Sequence, residues 1–240
     1  MWRGGAPAGV TAAFTTRQGG VSLAPYHGLN LGRSTPDTPD AIETNRALVL
    51  RAVGLVPEML ATAGQIHGTA VTRVTAPGLH RECDALVTRE AGIALAVSAA
   101  DCMPILYAAP GVVAAAHSGW RGTADGIPRV TLAAVCDLAG VSPSQVTVFL
   151  GPCIRSCCYE VGPEVAGRFP LESLVWIEGS RRLSIPCAVT RQLSEAGVRP
   201  ERIHDTGACT ACEPAWYFSH RRDRGVTGRQ WGLIALTGAA

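Results

Sequence analysis

The sequence predicts an α/β or α+β fold in which sheets are covered by helices. Short β-like runs lie between three helix-like segments along the chain, which is the first observation behind this prediction. The 27 glycines and 16 prolines are spread throughout and favour many short elements joined by tight turns. No repeat or low-complexity linker divides the 240 residues, so we expect one domain over residues 1–240.

Three segments have the start and stop signals of helices. Thr38 at an N-cap and Pro39 at the first helical position predict a helix that stops at Gly54. Two further helices are predicted over residues 127–139 and 190–196, and each is followed by a glycine.

Several β-like runs end at unusual polar clusters. The runs cover residues 86–88, 93–98, 112–116 and 146–150. The second leads to Asp101 and Cys102, the third to His117, and the fourth to Cys153. Because a rigid sheet holds reactive groups well at strand ends, this pattern predicts an active site there.

The charge composition excludes some function classes. The 21 basic and 19 acidic residues give a formal net charge of +2, which argues against a nucleic-acid binder or a polybasic membrane binder. All basic residues are arginine, so neither a lysine Schiff base nor a P-loop lysine is available in this chain. Phosphate would therefore be bound by arginine, backbone N–H groups or a metal.

The sequence also bears on localisation and redox state. No run of about 20 apolar residues appears, and the start of the chain, residues 1–5, lacks an apolar signal core. We therefore expect a cytoplasmic protein. Its nine cysteines are odd in number, so we expect reduced thiols that serve as metal ligands or fill the core.

Three short motifs place a metal-ligating side chain beside small or turn-forming residues. Two imidazoles and one thiolate suit zinc, with copper as the lesser alternative, and three ligands leave an open catalytic position. The spacing between the motifs is wide, and the plainer interpretation is two hydrogen-bonded histidines and a buried thiol. The motifs are Gln65-Ile66-His67-Gly68, Ala100-Asp101-Cys102-Met103-Pro104 and His117-Ser118-Gly119-Trp120-Arg121-Gly122-Thr123.

A second set of cysteines offers a rival metal site. Cys209 and Cys212 form a Cys-x-x-Cys pair, and Cys153, Cys157 and Cys158 could supply two more ligands for a closed structural zinc. A lone Cys-x-x-Cys could instead be redox-active. The upstream cysteines lack zinc-ribbon spacing, so packing cysteines are the favoured interpretation.

Across most of its length, the chain resembles the laccase-domain family, also called polyphenol-oxidase-like or multicopper-oxidase-like proteins. Bacterial members are named purine nucleoside phosphorylases or peptidoglycan editing factors. The matching motifs occur in order at residues 14–22, 29–32, 65–68, 84–88, 100–104, 117–123, 151–152, 159–162, 209–210, 218–222 and 227–229. Two positions depart from the family pattern: Ser118 stands where alanine is common, and His220 where an aromatic is usual.

The resemblance implies a single-domain layered αββα sandwich with a zinc ion on His67, Cys102 and His117. It also implies zinc-dependent phosphorolysis of adenosine, inosine or guanosine, so the expected partners are a purine nucleoside and phosphate. Cleavage of 5'-methylthioadenosine and deamination of adenosine are further implied activities. A copper polyphenol oxidase is less expected, because such a site needs more histidine ligands than six scattered histidines readily provide.

Phosphorolysis also needs an anion pocket and help for the leaving purine. Arg121, just after the third ligand, and Arg17, in a Gly-rich turn, are the candidate phosphate-binding residues. Asp84, Asp101 and Glu160 are candidate general acids or partners of the histidines, and the sequence does not rank them.

Two other functions stay open at this stage. In one, Cys102 is a nucleophile and His117 its base, giving a cysteine hydrolase or amidase that edits peptidoglycan precursors. In the other, the protein is a non-catalytic metal-binding module, which a fourth protein ligand on the metal would indicate.

Overall fold

A computed structural model describes residues 5–237. The remaining residues, 1–4 and 238–240, lie outside this part. They include four of the five residues at the start of the chain that were interpreted as lacking an apolar signal core. The strands are β1 (Val10–Phe14), β2 (Leu60–Ala63), β3 (Val71–Arg73), β4 (Gly78–His80), β5 (Ala85–Thr88), β6 (Ala94–Ala99), β7 (Met103–Ala109), β8 (Val112–Ser118), β9 (Thr147–Leu150), β10 (Leu174–Ile177), β11 (Ser180–Leu183), β12 (Ile203–Asp205) and β13 (Gln230–Leu236).

Short helices punctuate these strands. The α-helices are α1 (Pro39–Ala52), α2 (Trp120–Asp125), α3 (Ile127–Ala139), α4 (Pro163–Ala166) and α5 (Ile185–Glu195). Single 3-10 turns lie at Pro57–Met59, Pro143–Gln145, Leu171–Ser173 and Pro200–Arg202.

Two large sheets and one hairpin contain the strands. The first sheet has the order β1-β13-β6-β2-β4, and the second has the order β12-β9-β7-β8-β5-β3. Strands β10 and β11 form a separate antiparallel pair. Each of the two large sheets contains both parallel and antiparallel strand pairs. For example, β2 runs parallel to β6 in the first sheet, and β7 runs antiparallel to β8 in the second.

Three buried clusters show how the layers stack. One cluster lies between the two large sheets and includes Leu86, Leu106 and Phe149. A second packs α1 against the outer face of the first sheet, and a third packs α3 and α5 against the outer face of the second. The order of layers is therefore helix, sheet, sheet, helices, which confirms the expected αββα sandwich.

Strand β8 shows why the sequence builds these layers. Its seven residues are all buried, because the strand has packed layers on both faces. Side chains alternate: Val113 and Ala115 face the other sheet, whereas Val112, Ala114 and Ala116 face the helices. The small alanine side chains allow both neighbouring layers to approach this central strand closely.

The predicted helices are present, with one different boundary. Helices α1 and α3 lie where the caps and glycines predicted them. Helix α5 begins at Ile185 rather than at Thr190, because Ser184 caps it by accepting a hydrogen bond from the Cys187 N–H at 3.3 Å. Within residues 5–237, no helix has the length and apolar character needed to cross a membrane.

The packing between the sheets generates a stability prediction. Leu106 on β7 is fully buried between the two large sheets. We expect Leu106→Ala to lower the free energy of unfolding by about 2–5 kcal/mol, because it removes buried methyl groups and leaves a cavity. Urea unfolding measures this change. Leu171→Ala, at a leucine that is 84% exposed, is the matched control, and equal loss in both variants would contradict the layer assignment.

Candidate metal centre and active site

The strand order brings His67, Cys102 and His117 to one edge of the sandwich. Strands β2 and β6 are parallel neighbours in the first sheet, so their carboxyl ends lie side by side. After β2 the chain crosses to the second sheet through the loop that holds His67, and after β6 it crosses through the turn that holds Cys102. Strand β7 then starts opposite the end of β8, where Pro104 pairs with His117.

At this edge, the three side chains have the geometry of a metal site. One ligand atom from each of His67, Cys102 and His117 lies within 4.8 Å of the other two. The two imidazole rings meet edge to face, with centroids 4.9 Å apart. His117 is buried, Cys102 is half-buried and His67 is exposed, so protein encloses one side of the trio and the other side is accessible to solvent.

The carboxylate of Asp84 holds His117 and the loop of His67 in position through hydrogen bonds. It is fully buried just before β5, and its Oδ1 accepts a hydrogen bond of 2.9 Å from His117 Nδ1. Its oxygens also accept three backbone N–H bonds, from Ile66 at 3.1 Å, His67 at 3.0 Å and Gly68 at 2.7 Å. Because His117 Nδ1 is committed to Asp84, its Nε2 is left free to bind a metal.

The loop around His67 has strained backbone that other contacts hold in place. Gln65 and His67 have φ angles of 61° and 62°, in the left-handed region that non-glycine residues rarely adopt. The Gln65 side chain is fixed by Ser98 on β6, donating to its carbonyl at 2.6 Å and accepting from its N–H at 2.8 Å. Together with the bonds to Asp84, this contact fixes the backbone that presents His67.

Charges within the site shift the ordinary pKa values of its members. Burial alone lowers the pKa of His117, but Cys102 and Asp84 outweigh it and raise the pKa to about 9. Burial raises the pKa of Asp84, and the bonds from His117 and the backbone outweigh this effect and lower it. For His67, burial and the charge of His117 lower the pKa. The site therefore keeps Asp84 ionised as a fixed negative charge.

Gly119 leaves the space that the trio needs. A Cβ atom at this position would lie 3.0 Å from both Cys102 Sγ and His67 Nδ1, closer than nearly all Cβ contacts. The glycine therefore lets backbone approach the ligand atoms where a larger residue would displace them.

The trio opens into a cavity of about 840 Å³. Its walls combine aromatic, apolar and cationic side chains, and five of its residues are arginines. The residues most relevant to ligand binding are Ile66, Trp120, Tyr159, His220, Arg33, Arg46, Arg81, Arg221 and Arg229. Such a cavity can hold a flat ring and an anion side by side.

With this geometry established, comparison with known proteins identifies the family. A family profile described as "Multi-copper polyphenol oxidoreductase laccase" matches residues 11–237. The chain belongs to this laccase-like family. The resemblance read from the sequence motifs is therefore confirmed.

Relatives of this laccase-like chain match it over most of its length. A Deinococcus radiodurans protein named purine nucleoside phosphorylase is 41% identical over 233 residues, which cover 95% of this chain and 89% of that protein. Purine nucleoside phosphorylase YfiH of Escherichia coli is 38% identical over 239 residues, covering 96% and 95% of the two chains. The crystal structure of YlmD from Geobacillus stearothermophilus superposes with a TM-score of 0.92 at 37% identity, covering 98% and 95%.

The two predicted phosphate-binding arginines of this laccase-like protein lie in different places. Arg121 stacks on the ring of Trp120, a cavity residue, with 4.4 Å between guanidinium carbon and ring centroid. Arg17 lies in a separate cavity of about 550 Å³, where it stacks on Phe218 and donates to the carbonyls of His27 and Pro214 at 3.2 Å. The structure thus does not bring Arg17 to the trio.

The three candidate carboxylates also separate. Asp84 is a hydrogen-bond partner of His117, one of the two roles left open for it. Asp101 lines the cavity and accepts bonds of 2.6 Å from the Thr210 hydroxyl and from the Arg221 N–H. Glu160 is exposed, 3.9 Å from Arg182, and is not among the lining residues of the cavity.

The sequence interpretation missed several residues of the cavity. Arg33, Arg46 and Arg81 reach the site from loops and a helix that show no local motif, whereas Arg229 lies in the family motif at residues 227–229 but was given no role from the sequence. His220, which stands where the family usually has an aromatic, is an exposed residue on the cavity wall. The rival metal set was not missed: among residues 5–237, its members Cys157, Cys158, Cys209 and Cys212 come together as a second group of possible metal ligands.

The role of Asp84 gives the first prediction on the site. We expect Asp84→Asn to weaken Zn²⁺ binding about 10–100-fold, because the amide no longer supplies the negative charge that supports His117. Competition with a chromophoric chelator measures the affinity. Asp125→Asn, at an exposed aspartate paired with Arg168, is the control. Unchanged affinity in a folded Asp84→Asn protein would contradict the proposed support.

Proposed function

We propose that this protein is a zinc-dependent purine nucleoside phosphorylase whose metal is held by His67, Cys102 and His117. The observation that supports it most is the three-ligand group that opens directly into a cavity with aromatic and arginine walls. The names of the relatives support the same activity.

The donor set favours zinc over copper. Two imidazole nitrogens and one thiolate sulfur are common ligands of catalytic zinc, which keeps its fourth position for water or substrate. Of the described residues, two groups could hold an ion, and neither has the additional histidines of a multicopper centre.

The same donor set favours a catalytic site over a purely structural one. No fourth protein ligand completes this group among residues 5–237, and the open side of the trio faces the cavity. A closed four-ligand site would have favoured the non-catalytic module.

Phosphorolysis of a nucleoside exchanges one bond for another. A phosphate oxygen forms a bond to C1' of the ribose while the bond between C1' and the purine nitrogen breaks. The purine takes the electron pair and, in the overall balance, the proton that the attacking phosphate loses, and the products are ribose 1-phosphate and the free base. The protein must therefore bind an anion, orient the sugar and stabilise charge on the leaving base. Bound zinc would supply Lewis-acid stabilisation of that charge.

Aromatic side chains of the cavity suit the purine. Trp120 and Tyr159 provide rings next to the metal ligands, and Ile66 adds apolar surface that is 59% exposed. Flat aromatic bases stack favourably on such rings. Adenosine, inosine, guanosine and 5'-methylthioadenosine share the purine, so all four are proposed substrates.

Arginines of the cavity suit the phosphate. Arg229 is half-buried in the cavity wall and donates two bonds through Nη1 to the carbonyls of Thr227 and Gly228. Arg221 stacks on Tyr159, with 5.2 Å from guanidinium carbon to ring centroid. We assign phosphate binding to these two residues, with Arg121 as a neighbour. The contacts of Arg17 lie outside the cavity and give its proposed phosphate role no support.

A second function is favoured by one specific contact. His117 bonds to Asp84 and has a ring nitrogen within 4.8 Å of Cys102 Sγ, so the three side chains are arranged as the nucleophile, base and orienting acid found in cysteine hydrolases. In that reaction the thiolate would attack an amide carbonyl, the C–N bond would break as the amine leaves with a proton from His117, and water would then hydrolyse the thioester, as peptidoglycan-precursor editing would require. This arrangement leaves His67 without a role, so we rank it second.

Metal content and dependence on phosphate distinguish the two proposed functions. We expect purified protein to contain zinc and to cleave adenosine, inosine and 5'-methylthioadenosine only when phosphate is added. Because a bound metal supplies several kcal/mol, Cys102→Ala should lower this activity about 10³-fold or more. Chromatography of the products measures cleavage and reveals any deamination to inosine. Cys187→Ala, outside both groups of possible ligands, is the control.

Two other outcomes would contradict the phosphorylase proposal. A metal-free protein that is alkylated at Cys102, hydrolyses an amide and ignores phosphate would establish the cysteine hydrolase instead. Oxidation of phenols that requires copper would contradict both proposals.

The arginine assignment has its own test. We expect Arg229→Gln to raise the KM for phosphate about 10-fold or more, because a charge-assisted hydrogen bond contributes about 1.5–3 kcal/mol. Initial rates at varied phosphate and saturating inosine measure this effect. Arg17→Gln is the matched control and should leave that KM unchanged. The reverse pattern would return the phosphate role to Arg17.

A further inference from the structure

A second edge cluster lies beside the candidate active site. Strand β9 runs antiparallel to β7, and β12 runs parallel to β9, so β9 and β12 end at the same edge where β7 begins. The loops that follow these two strands bring together the sulfur atoms of Cys157, Cys158, Cys209 and Cys212.

We propose that Cys157, Cys158, Cys209 and Cys212 bind a second Zn²⁺ ion, in a closed structural site that ties the two loops together. This site is separate from the open trio of His67, Cys102 and His117. The proposal does not depend on the phosphorylase activity.

The sulfur positions fit one tetrahedral ion. All four Sγ atoms lie within 4.8 Å of one another. The distance from Cys157 Sγ is 3.5 Å to Cys209 Sγ and 3.4 Å to Cys212 Sγ, and Cys158 Sγ is 3.3 Å from Cys212 Sγ. A ZnS₄ tetrahedron with Zn–S bonds of about 2.3 Å has edges of about 3.8 Å. The cysteines thus need only a small expansion to close around the ion.

The geometry distinguishes this site from other cysteine chemistry. Sulfur atoms this close together leave room for one ion but none for the bridging sulfides of an iron–sulfur cluster. A disulfide needs two thiols, whereas here Cys212 contacts both Cys157 and Cys158, and Cys157 also contacts Cys209. Cys153 is fully buried and does not belong to the group, so the ligand set is four rather than five.

Arginines next to the cluster hold the backbone of both cysteine loops. Arg182 donates a bond of 3.0 Å to the Cys157 carbonyl, and Arg155 donates one of 3.0 Å to the Ala208 carbonyl. Arg222 donates one of 2.7 Å to the Thr210 carbonyl. Each of the three arginines also pairs with a carboxylate, so their contribution is to fix the backbone from which the four thiols project.

The site would position part of the cavity wall. Tyr159 directly follows Cys158, and His220 and Arg221 lie on the loop that continues from Cys212. Among described residues, the direct backbone bonds between the two loops include Thr210 N–H to the Cys153 carbonyl at 3.0 Å. An ion that joins two ligands from each loop would fix Tyr159 relative to Arg221.

Metal counting tests the proposal directly. Native mass spectrometry of the zinc-loaded full chain should find two zinc ions in the wild type. We expect one in Cys212→Ser, one in Cys102→Ala and none when both changes are combined. Cys187→Ser, a half-buried cysteine outside both groups, is the control and should retain two. One zinc in the wild type, unaffected by Cys212→Ser, would overturn the proposal.

A second measurement covers the case in which Cys212→Ser fails to fold. In the Cys102→Ala protein, Co²⁺ in place of zinc should give the thiolate charge-transfer and strong visible absorption of a tetrahedral cobalt–sulfur site. Alkylation of the native wild type with iodoacetamide should spare the four cysteines until a chelator is added. Disulfide-linked peptides among them, or rapid alkylation before chelation, would count against a bound ion.

Discussion

The buried carboxylate of Asp84 is the interaction on which the rest of the site depends. It joins three elements that are distant in sequence: the loop of His67, the end of β8 with His117, and the start of β5. Its main chain contributes as well, because its carbonyl accepts the His117 N–H at 2.7 Å. An unpaired carboxylate in this position would cost several kcal/mol, so its four hydrogen bonds make the local structure strongly cooperative.

This constraint works only because the chain crosses between sheets at one edge. The crossings after β2 and β6 bring His67 and Cys102 to the same edge of the sandwich, where β8 also ends. The ends of β9 and β12 add the four-cysteine group beside it. The fold therefore separates two tasks: packed strands provide stability, whereas the loops at one edge carry the chemistry.

Local signals in the sequence predicted the parts of the structure that local physics determines. The caps and glycines of α1 and α3 were sufficient to place them, and the β-like runs before Cys102 and His117 correspond to strands. Strand β7 was missed because Pro104, a poor strand residue, stands near its start. The metal trio came from the resemblance of whole motifs, since its spacing alone is weak. Arg33 and Arg81 could not be found, because only the tertiary fold brings them to the cavity.

The same hydrogen bonds decide what Asp84 can do in a reaction. A carboxylate has about four acceptor positions, and His117, Ile66, His67 and Gly68 occupy them. With its pKa lowered by these partners, which outweigh its burial, Asp84 has no proton to give at neutral pH. In the proposed phosphorolysis, a general acid for the leaving purine would therefore have to come from elsewhere. Asp101 lines the cavity, but it too accepts two bonds, from Thr210 and Arg221. Both carboxylates thus act as positioning residues, and in the proposed phosphorolysis charge stabilisation at the trio would help the departing base.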